Sequence, residues 1–154
     1  MRAVVQRVRS ASVTAGDDEV ARIGLGLLVL LGVSNGDTPA DADRLAAKVA
    51  LLRIFDDADG RMNVDVSAAQ GAVLCVSQFT LYGDVRRGNR PSYSAAAPRP
   101  VSEPLYQRFC EAIDRQDIRC ERGVFGAEML VRLENDGPVT LIIDTSDLDT
   151  PRRA

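Results

Sequence analysis

The sequence contains no histidine. Ser-His-Asp and Cys-His catalysis are thereby excluded, and so is any metal site built on imidazole. Only three cysteines occur, Cys75, Cys110 and Cys120, and none belongs to a C-x-x-C pair. An odd, scattered set makes no disulfide framework and no zinc site by spacing, and it fits a reducing compartment. Tryptophan is missing and aromatic residues make up 5% of the chain, so a broad aromatic platform for stacking bases is not available. Lysine is nearly absent: of 19 basic residues only Lys48 is lysine, and the other 18 are arginine. So general a bias does not mark each arginine as a phosphate ligand. The longest apolar run, Leu25 to Val33, is broken by Gly26 and Gly32 and falls well short of the roughly 18 residues of a transmembrane helix. Met1 to Arg7 alternates and carries no hydrophobic signal core. These absences predict a soluble intracellular protein with no membrane partner, no metal and no cofactor.

What is present is ordinary for a globular domain. The chain has 154 residues, 45% hydrophobic and 27% charged, with a net charge of −3. No repeat, linker or low-complexity block divides it, so one domain is expected over residues 1–145. A polar, frayed tail is expected from Ser146 to Ala154. The balance does not suggest wholesale wrapping of nucleic acid, yet local patches outweigh the sum. The tightest such group is Arg86, Arg87 and Arg90.

Periodicity predicts the element order. Arg2 to Arg9 alternates as a strand that continues through Ala11 to Val13. Ala15-Gly16-Asp17-Asp18 is a turn, and Glu19 to Ile23 the returning strand. Gly26 to Val33 is apolar throughout, as in a strand buried on both faces. Thr38 is an N-cap with Pro39 at the first helical position and Asp41 three residues on, and helical spacing runs to about Phe55. Met62 to Val66 makes a short strand, Ala72 to Leu81 a second buried strand, and Gly83 to Ser94 a polar loop. Ser102 is the cap candidate of a second helix with Leu105, Phe109, Ala112 and Ile113 on one face. Three closing strands follow, Arg119 to Phe125, Met129 to Glu134 and Val139 to Asp144. The order, two strands, two strand–helix units and three strands, favours a mixed α/β sheet with helices on one side. Two helices cannot cover so many strands, so a second layer of sheet or a partner subunit must bury the rest.

Several motifs admit two readings. Gly24-Leu25-Gly26 lacks a third glycine and runs into a strand, so it is not a dinucleotide fingerprint. Asp56-Asp57-Ala58-Asp59-Gly60 is an acidic turn rather than a calcium loop, since Phe55 and Val66 fall where oxygen donors are required. Ser77-Gln78-Phe79-Thr80-Leu81 closes a core strand with polar groups whose unpaired burial costs about 1–3 kcal/mol each. These groups either bond neighbouring loops or floor a site. Asn135-Asp136-Gly137-Pro138-Val139-Thr140 reads as a hairpin turn, or as a rigid segment presenting backbone carbonyls if Gly137-Pro138 is cis. Gly123-Val124-Phe125-Gly126-Ala127-Glu128-Met129 is a bulged hairpin with core anchors or a flat apolar slot for a base. The Arg86 to Arg90 cluster is a solvated loop or a phosphate grip.

In this order and spacing, the last strand-end, slot and Gly-Pro motifs resemble those of the D-aminoacyl-tRNA deacylase family. The similarity extends from Met1-Arg2-Ala3-Val4-Val5-Gln6-Arg7-Val8 through Leu52-Arg53-Ile54-Phe55, Gly60-Arg61-Met62-Asn63 and Gly88-Asn89-Arg90-Pro91-Ser92. Val124 stands where methionine is frequent in that family. The resemblance implies a three-layer β/β/α fold of β2-(βα)2-β3 order. It implies a cytoplasmic homodimer with two sites at the subunit interface, acting on the aminoacylated 3′ end of tRNA. The reaction implied is hydrolysis of the ester between a D-amino acid and the terminal adenosine, with glycyl-tRNA as a second substrate. Ser77, Gln78, Phe79 and Thr80 would line the pocket. A cis Gly137-Pro138 peptide would reach into the partner's pocket and bar L side chains, braced by Arg7. Phe125, Gly126, Ala127 and Met129 would hold the adenine.

D and L isomers share every group, so rejection by a rigid wall discriminates better than attraction. Thr80 as nucleophile would need an adjacent base, and no histidine exists to serve. A route assisted by the neighbouring ribose 2′-hydroxyl is therefore favoured, with N–H groups near Phe79 and Thr80 receiving the oxyanion. Three rivals stay open: a Thr80-nucleophile esterase, a tRNA-editing deacylase of other specificity, and a non-catalytic RNA-binding module.

Overall fold

The computed structural model of the chain describes residues 1–148. Its elements are β1 (Arg2–Ala15), β2 (Asp18–Ile23), β3 (Gly26–Gly32), α1 (Pro39–Ala50), β4 (Phe55–Asp56), β5 (Met62–Val64), β6 (Ala72–Ser77), α2 (Arg99–Asp114), β7 (Cys120–Arg122) and β8 (Met129–Asp144). Short 3-10 turns follow β6 (Phe79–Tyr82) and β8 (Thr145–Asp147). Ser146 thus lies in an ordered turn capped by the Asp144 carboxylate. The rest of the predicted tail, residues 149–154, lies outside the described residues.

The main sheet is mixed. β3, β6 and β7 run parallel, while β1 is antiparallel to β2, β3 and β8. β1 is long enough to serve two neighbours in tandem, pairing β3 over Arg2–Val8 and β2 over Ala11–Ala15. Its bend divides the core. Leu27, Val29 and Leu31 of β3 and Val73 and Cys75 of β6 face the helices. Leu28, Ala72, Leu74 and Val76 face Val8, Ala11, Val13, Ala21 and Ile23, which the far half of β1 and β2 fold over them. Three layers result, helices, sheet and returning sheet, and the uninterrupted apolar β3 is explained by burial on both faces. The second sheet layer that the strand count called for is therefore the same sheet curling back.

Gly26 records how close that packing is. A Cβ there would lie 1.9 Å from the carbonyl oxygen of Ala72, its partner on β6. α1 starts as predicted: Thr38 Oγ1 accepts from the Asp41 N–H at 3.4 Å and the Asp41 carboxylate accepts from the Thr38 N–H at 2.8 Å. It ends at Ala50, earlier than its spacing suggested, because Leu51 and Leu52 complete the C-cap rather than a further turn. α2 starts at Arg99, not at Ser102. The carbonyl of Pro98 accepts the N–H groups of Val101 and Ser102 and the Ser102 hydroxyl, at 2.9, 2.9 and 3.1 Å, so Ser102 lies inside the first turn. Pro100 is tolerated there because a first-turn N–H has no helical partner to lose. The three cysteines, far apart in sequence, all fall in the helix-side core and are free.

The last two predicted strands are one. β8 stays antiparallel to β1 along its whole length, from Met129 opposite Ala15 to Asp144 opposite Arg2. Asn135-Asp136-Gly137-Pro138 is therefore not a hairpin. Gln6 and Val8, two residues apart on β1, face Thr140 and Asn135, five apart on β8. The surplus residues bulge out of the sheet. β6 is likewise shorter than predicted and ends at Ser77, where the chain turns into the 3-10 segment.

Candidate active site

β6 ends in Ser77 beneath the first turn of α2. There the Gln78 N–H still continues the ladder to the Leu31 carbonyl at 2.8 Å. The following 3-10 turn uses the N–H groups of Leu81 and Gly83 internally, bonded to the carbonyls of Gln78 and Thr80. Those of Phe79 and Thr80, at its start, donate to no acceptor among the described residues, the usual state of a first-turn amide. Phe79 lines a cavity of about 490 Å³.

Ser77, Gln78 and Phe79 form one wall of this cavity, and Phe125, Gly126 and Ala127 of the β7–β8 connection with Met129 at the start of β8 form the opposite one. Two motifs nearly fifty residues apart in the chain thus meet. Gly126 takes the left-handed conformation, φ +75°. α2 supplies the third wall with Arg99, Ser102 and Tyr106, which the sequence reading missed. The Tyr106 hydroxyl donates to the Cys75 carbonyl at 2.8 Å, which anchors the buried ring. Burial raises its pKa, so it remains a neutral donor. Its ring lies 5.5 Å from that of Phe125 at 52°, and the Arg99 guanidinium lies over the other ring at 5.8 Å. Tyr106 was legible in outline, since it shares the helical face of Leu105 and Phe109. Arg99 had no signal in a chain so rich in arginine.

Thr80 is exposed and does not line the cavity, but its hydroxyl oxygen accepts from the Gln78 side-chain amide. Its neighbour is thus a neutral amide and not a base. Phe79, 58% exposed, packs edge-on against Tyr93 at 5.0 Å.

Arg7, Gly137 and Pro138 form a second centre that does not line this chain's own cavity. The Gly137-Pro138 peptide is cis, and Gly137 has φ +116°. A Cβ on Gly137 would come within 2.8 Å of Val139 Cγ2 and 3.0 Å of Arg7 Nη2. Arg7 is buried, and its guanidinium donates to the carbonyls of Asp136 at 3.2 Å and Ile54 at 2.7 Å. Carboxylates of Asp56 and Asp136 lie at 3.4 and 3.5 Å, so its charge is compensated where burial would otherwise penalise it. Asn135 laces the base of the bulge: its Nδ2 donates to the Arg7 and Val139 carbonyls at 2.9 and 3.0 Å, and its Oδ1 accepts from the Thr140 hydroxyl at 3.2 Å. Gly137 and Pro138 are left exposed at the crest.

The arginine cluster sits on the loop closed by the Asp84–Ser92 bridge. Arg86 is held by Asp84, whose carboxylate this hydrogen bonding lowers to about 2. Arg87 lines a recess with Arg86, and Arg90 is exposed on the same loop. Among the described residues no cluster of carboxylates and thiols has the arrangement of a metal site. No described helix is long and apolar enough to cross a membrane.

A family model for D-Tyr-tRNA(Tyr) deacylase matches residues 4–144. The D-aminoacyl-tRNA deacylase of Chloroflexus aurantiacus is 53% identical over 154 residues, covering 100% of this chain and 96% of that one. The enzyme of the same name from Symbiobacterium thermophilum is 55% identical over 145 residues, 94% and 96% of the two chains. The solved structure of the c-Myc DNA Unwinding Element Binding Protein superposes with a TM-score of 0.87 at 42% identity, covering 94% of this chain and 98% of its own. A mixed α/β fold of this kind, matched end to end by such relatives, places the protein among hydrolases that act on ester bonds. Within them, the chain belongs to the D-Tyr-tRNA(Tyr) deacylase family.

Proposed function

We propose that the protein hydrolyses the ester joining a D-amino acid to the 3′-terminal adenosine of tRNA, and that glycyl-tRNA is a second substrate. The observation that carries this reading is the cavity itself, in which the Ser77-Gln78-Phe79 wall faces the Phe125 to Met129 wall in a chain of this family. The adenine lies in the slot of Phe125, Gly126, Ala127 and Met129. The aminoacyl ester lies against Ser77, Gln78 and Phe79.

The ester is already an activated acyl group, so the protein needs to orient and polarise rather than supply a strong nucleophile. Water adds to the carbonyl carbon, hydrogen-bonded to the vicinal 2′-hydroxyl of the ribose. The oxyanion that forms is received by the N–H groups of Phe79 and Thr80, which donate to no acceptor among the described residues. Collapse expels the 3′-oxygen, which takes up the proton that water releases. Thr80, bonded to the Gln78 amide, positions that amide.

Chirality is decided by a wall. The exposed backbone of Gly137 and Pro138 stands outside its own chain's cavity, so the selective site needs a second copy whose bulge closes the first copy's cavity. Arg7 and Asn135 make that bulge rigid from beneath. Main-chain atoms exclude an L side chain whatever its identity, and glycine passes because it has none. The homodimer is supported by β8, which pairs only with β1 among the described strands and leaves Leu130, Leu133 and Ile142 exposed. Arg86, Arg87 and Arg90 contact tRNA phosphates in the cytoplasm, so loss of one flattens the salt dependence of tRNA binding.

The direct test is release of D- and L-tyrosine from matched charged tRNAs. The D ester is cleaved faster on the order of 100-fold or more. Comparable rates for the two isomers overturn the chiral reading.

A further inference from the structure

We propose that Arg99 holds the phosphate on the 5′ side of the terminal adenosine, and so recognises the aminoacyl ester as the end of a polynucleotide. The inference rests on the placement of adenine proposed above. Arg99 lines the cavity at the first position of α2, and it does so next to the slot rather than next to the strand-end wall. Its guanidinium is pinned on two sides. Nε and Nη2 donate to the Glu103 carboxylate at 2.7 and 3.3 Å, and its plane covers Phe125 at 5.8 Å. The remaining nitrogen, Nη1, makes no hydrogen bond among the described residues, and it is the atom a side chain at Gly126 would meet first, at 3.5 Å. A cation with one free N–H edge is thus fixed at the rim of the slot by two contacts that do not use that edge.

The position decides the chemistry of the ligand. The Arg99 side chain is 66% exposed, so it stands at the mouth, where a chain attached to the adenosine must leave. The adenine itself is uncharged, and the α-amino group of the substrate is a cation that Arg99 would repel. The phosphodiester joining the last two nucleotides is the one anion that an adenosine seated against Phe125 and Gly126 brings to this rim. Glu103 keeps the arginine from swinging into solvent, since a bidentate contact fixes the plane of the guanidinium.

Two substrates separate this role from its rivals: D-tyrosyl-tRNA, and 3′-O-D-tyrosyl-adenosine, which has the base, ribose and ester but no phosphate. In Arg99→Ala, KM for the tRNA substrate rises about 10-fold with kcat within about twofold, and the salt slope of tRNA binding falls by about 0.7, the value for one contact to a single strand. The adenosine ester, which has no phosphate, loses at most about threefold, the part Arg99 contributes through the Phe125 ring. Arg99→Lys, which keeps the charge, recovers most of the tRNA affinity. Equal losses on both substrates would show Arg99 acting only through the Phe125 ring, and no loss on either would show it idle; each overturns the assignment while leaving the deacylase reading intact. A wild-type enzyme that leaves D-tyrosyl-tRNA uncleaved removes both.

Discussion

At Thr80 the chemistry turns on one hydrogen bond. Its hydroxyl oxygen accepts a hydrogen bond from the Gln78 amide N–H, and a neutral amide is no base for the hydroxyl proton. An alkoxide nucleophile has no base there to make it. Thr80→Ala is therefore expected to lower kcat by at most about 100-fold through misplacement of Gln78. Mass spectrometry of the quenched enzyme then finds no acyl group on the wild-type chain. An acyl-Thr80 adduct would reinstate the nucleophilic esterase. At the same scale Arg7 was named only through the family resemblance, because strand alternation alone says nothing of what a guanidinium there would bond. Its actual partners, the carbonyls of Ile54 and Asp136, come from segments that only folding brings alongside.

Among the elements, β8 departs most from its sequence reading, and the reason is instructive. Asn-Asp-Gly is good turn chemistry, and a left-handed glycine serves a turn or a bulge equally. The choice is made by β1, which is long enough to pair with both halves of β8 and so draws them into one line. Asn135 then becomes the clasp of the bulge. Asn135→Ala removes three hydrogen bonds and leaves polar groups half-satisfied, so it costs about 1–3 kcal/mol of stability and loosens Gly137 and Pro138. Thermal unfolding paired with the ratio of D- to L-tyrosine release checks both halves. A lower Tm with an unchanged ratio would mean that the bulge has no part in selection. α2 teaches a related lesson: Pro98 and Pro100 mark a helix start more reliably than Ser102, because a carbonyl, not a hydroxyl, gathers the first-turn amides.

For the molecule as a whole, the missing histidines shape the response to pH. Asp41, hydrogen-bonded by Thr38, and Asp43, hydrogen-bonded by Arg108, sit below their ordinary carboxylate values, as does Asp84 beside Arg86. Groups lowered in the folded state stabilise it above their unfolded pKa of about 4, and that contribution is lost as pH falls through the lower folded values. Burial raises the Cys75 thiol and pushes Tyr82 up to about 12. Such groups withdraw stability as pH climbs past their unfolded values of about 8.5 and 10. Urea midpoints should therefore be level between about pH 5 and 8 and decline on either side. A step near pH 6.5 would contradict this. Association is the other property of this scale. Ile142, 74% exposed on β8, lies on the surface proposed to meet the second copy. Ile142→Glu should shift the sedimentation mass from two chains to one and abolish deacylation together with it. A wild-type chain that sediments alone would remove the shared site.

By itself the sequence determined most of the elements and their order, because these depend on periodicity, capping and local turn chemistry. The family likeness was readable for the same reason, since the motifs are contiguous runs. Only the tertiary structure decided that the sheet supplies its own second layer, that the three cysteines gather in one core, and that residues 129 to 144 are a single strand. It alone brought Arg99 and Tyr106 to the cavity. Those outcomes depend on which distant residue occupies the space a segment would take, and pairing along β1 and packing under α2 settle that after local preference has been spent.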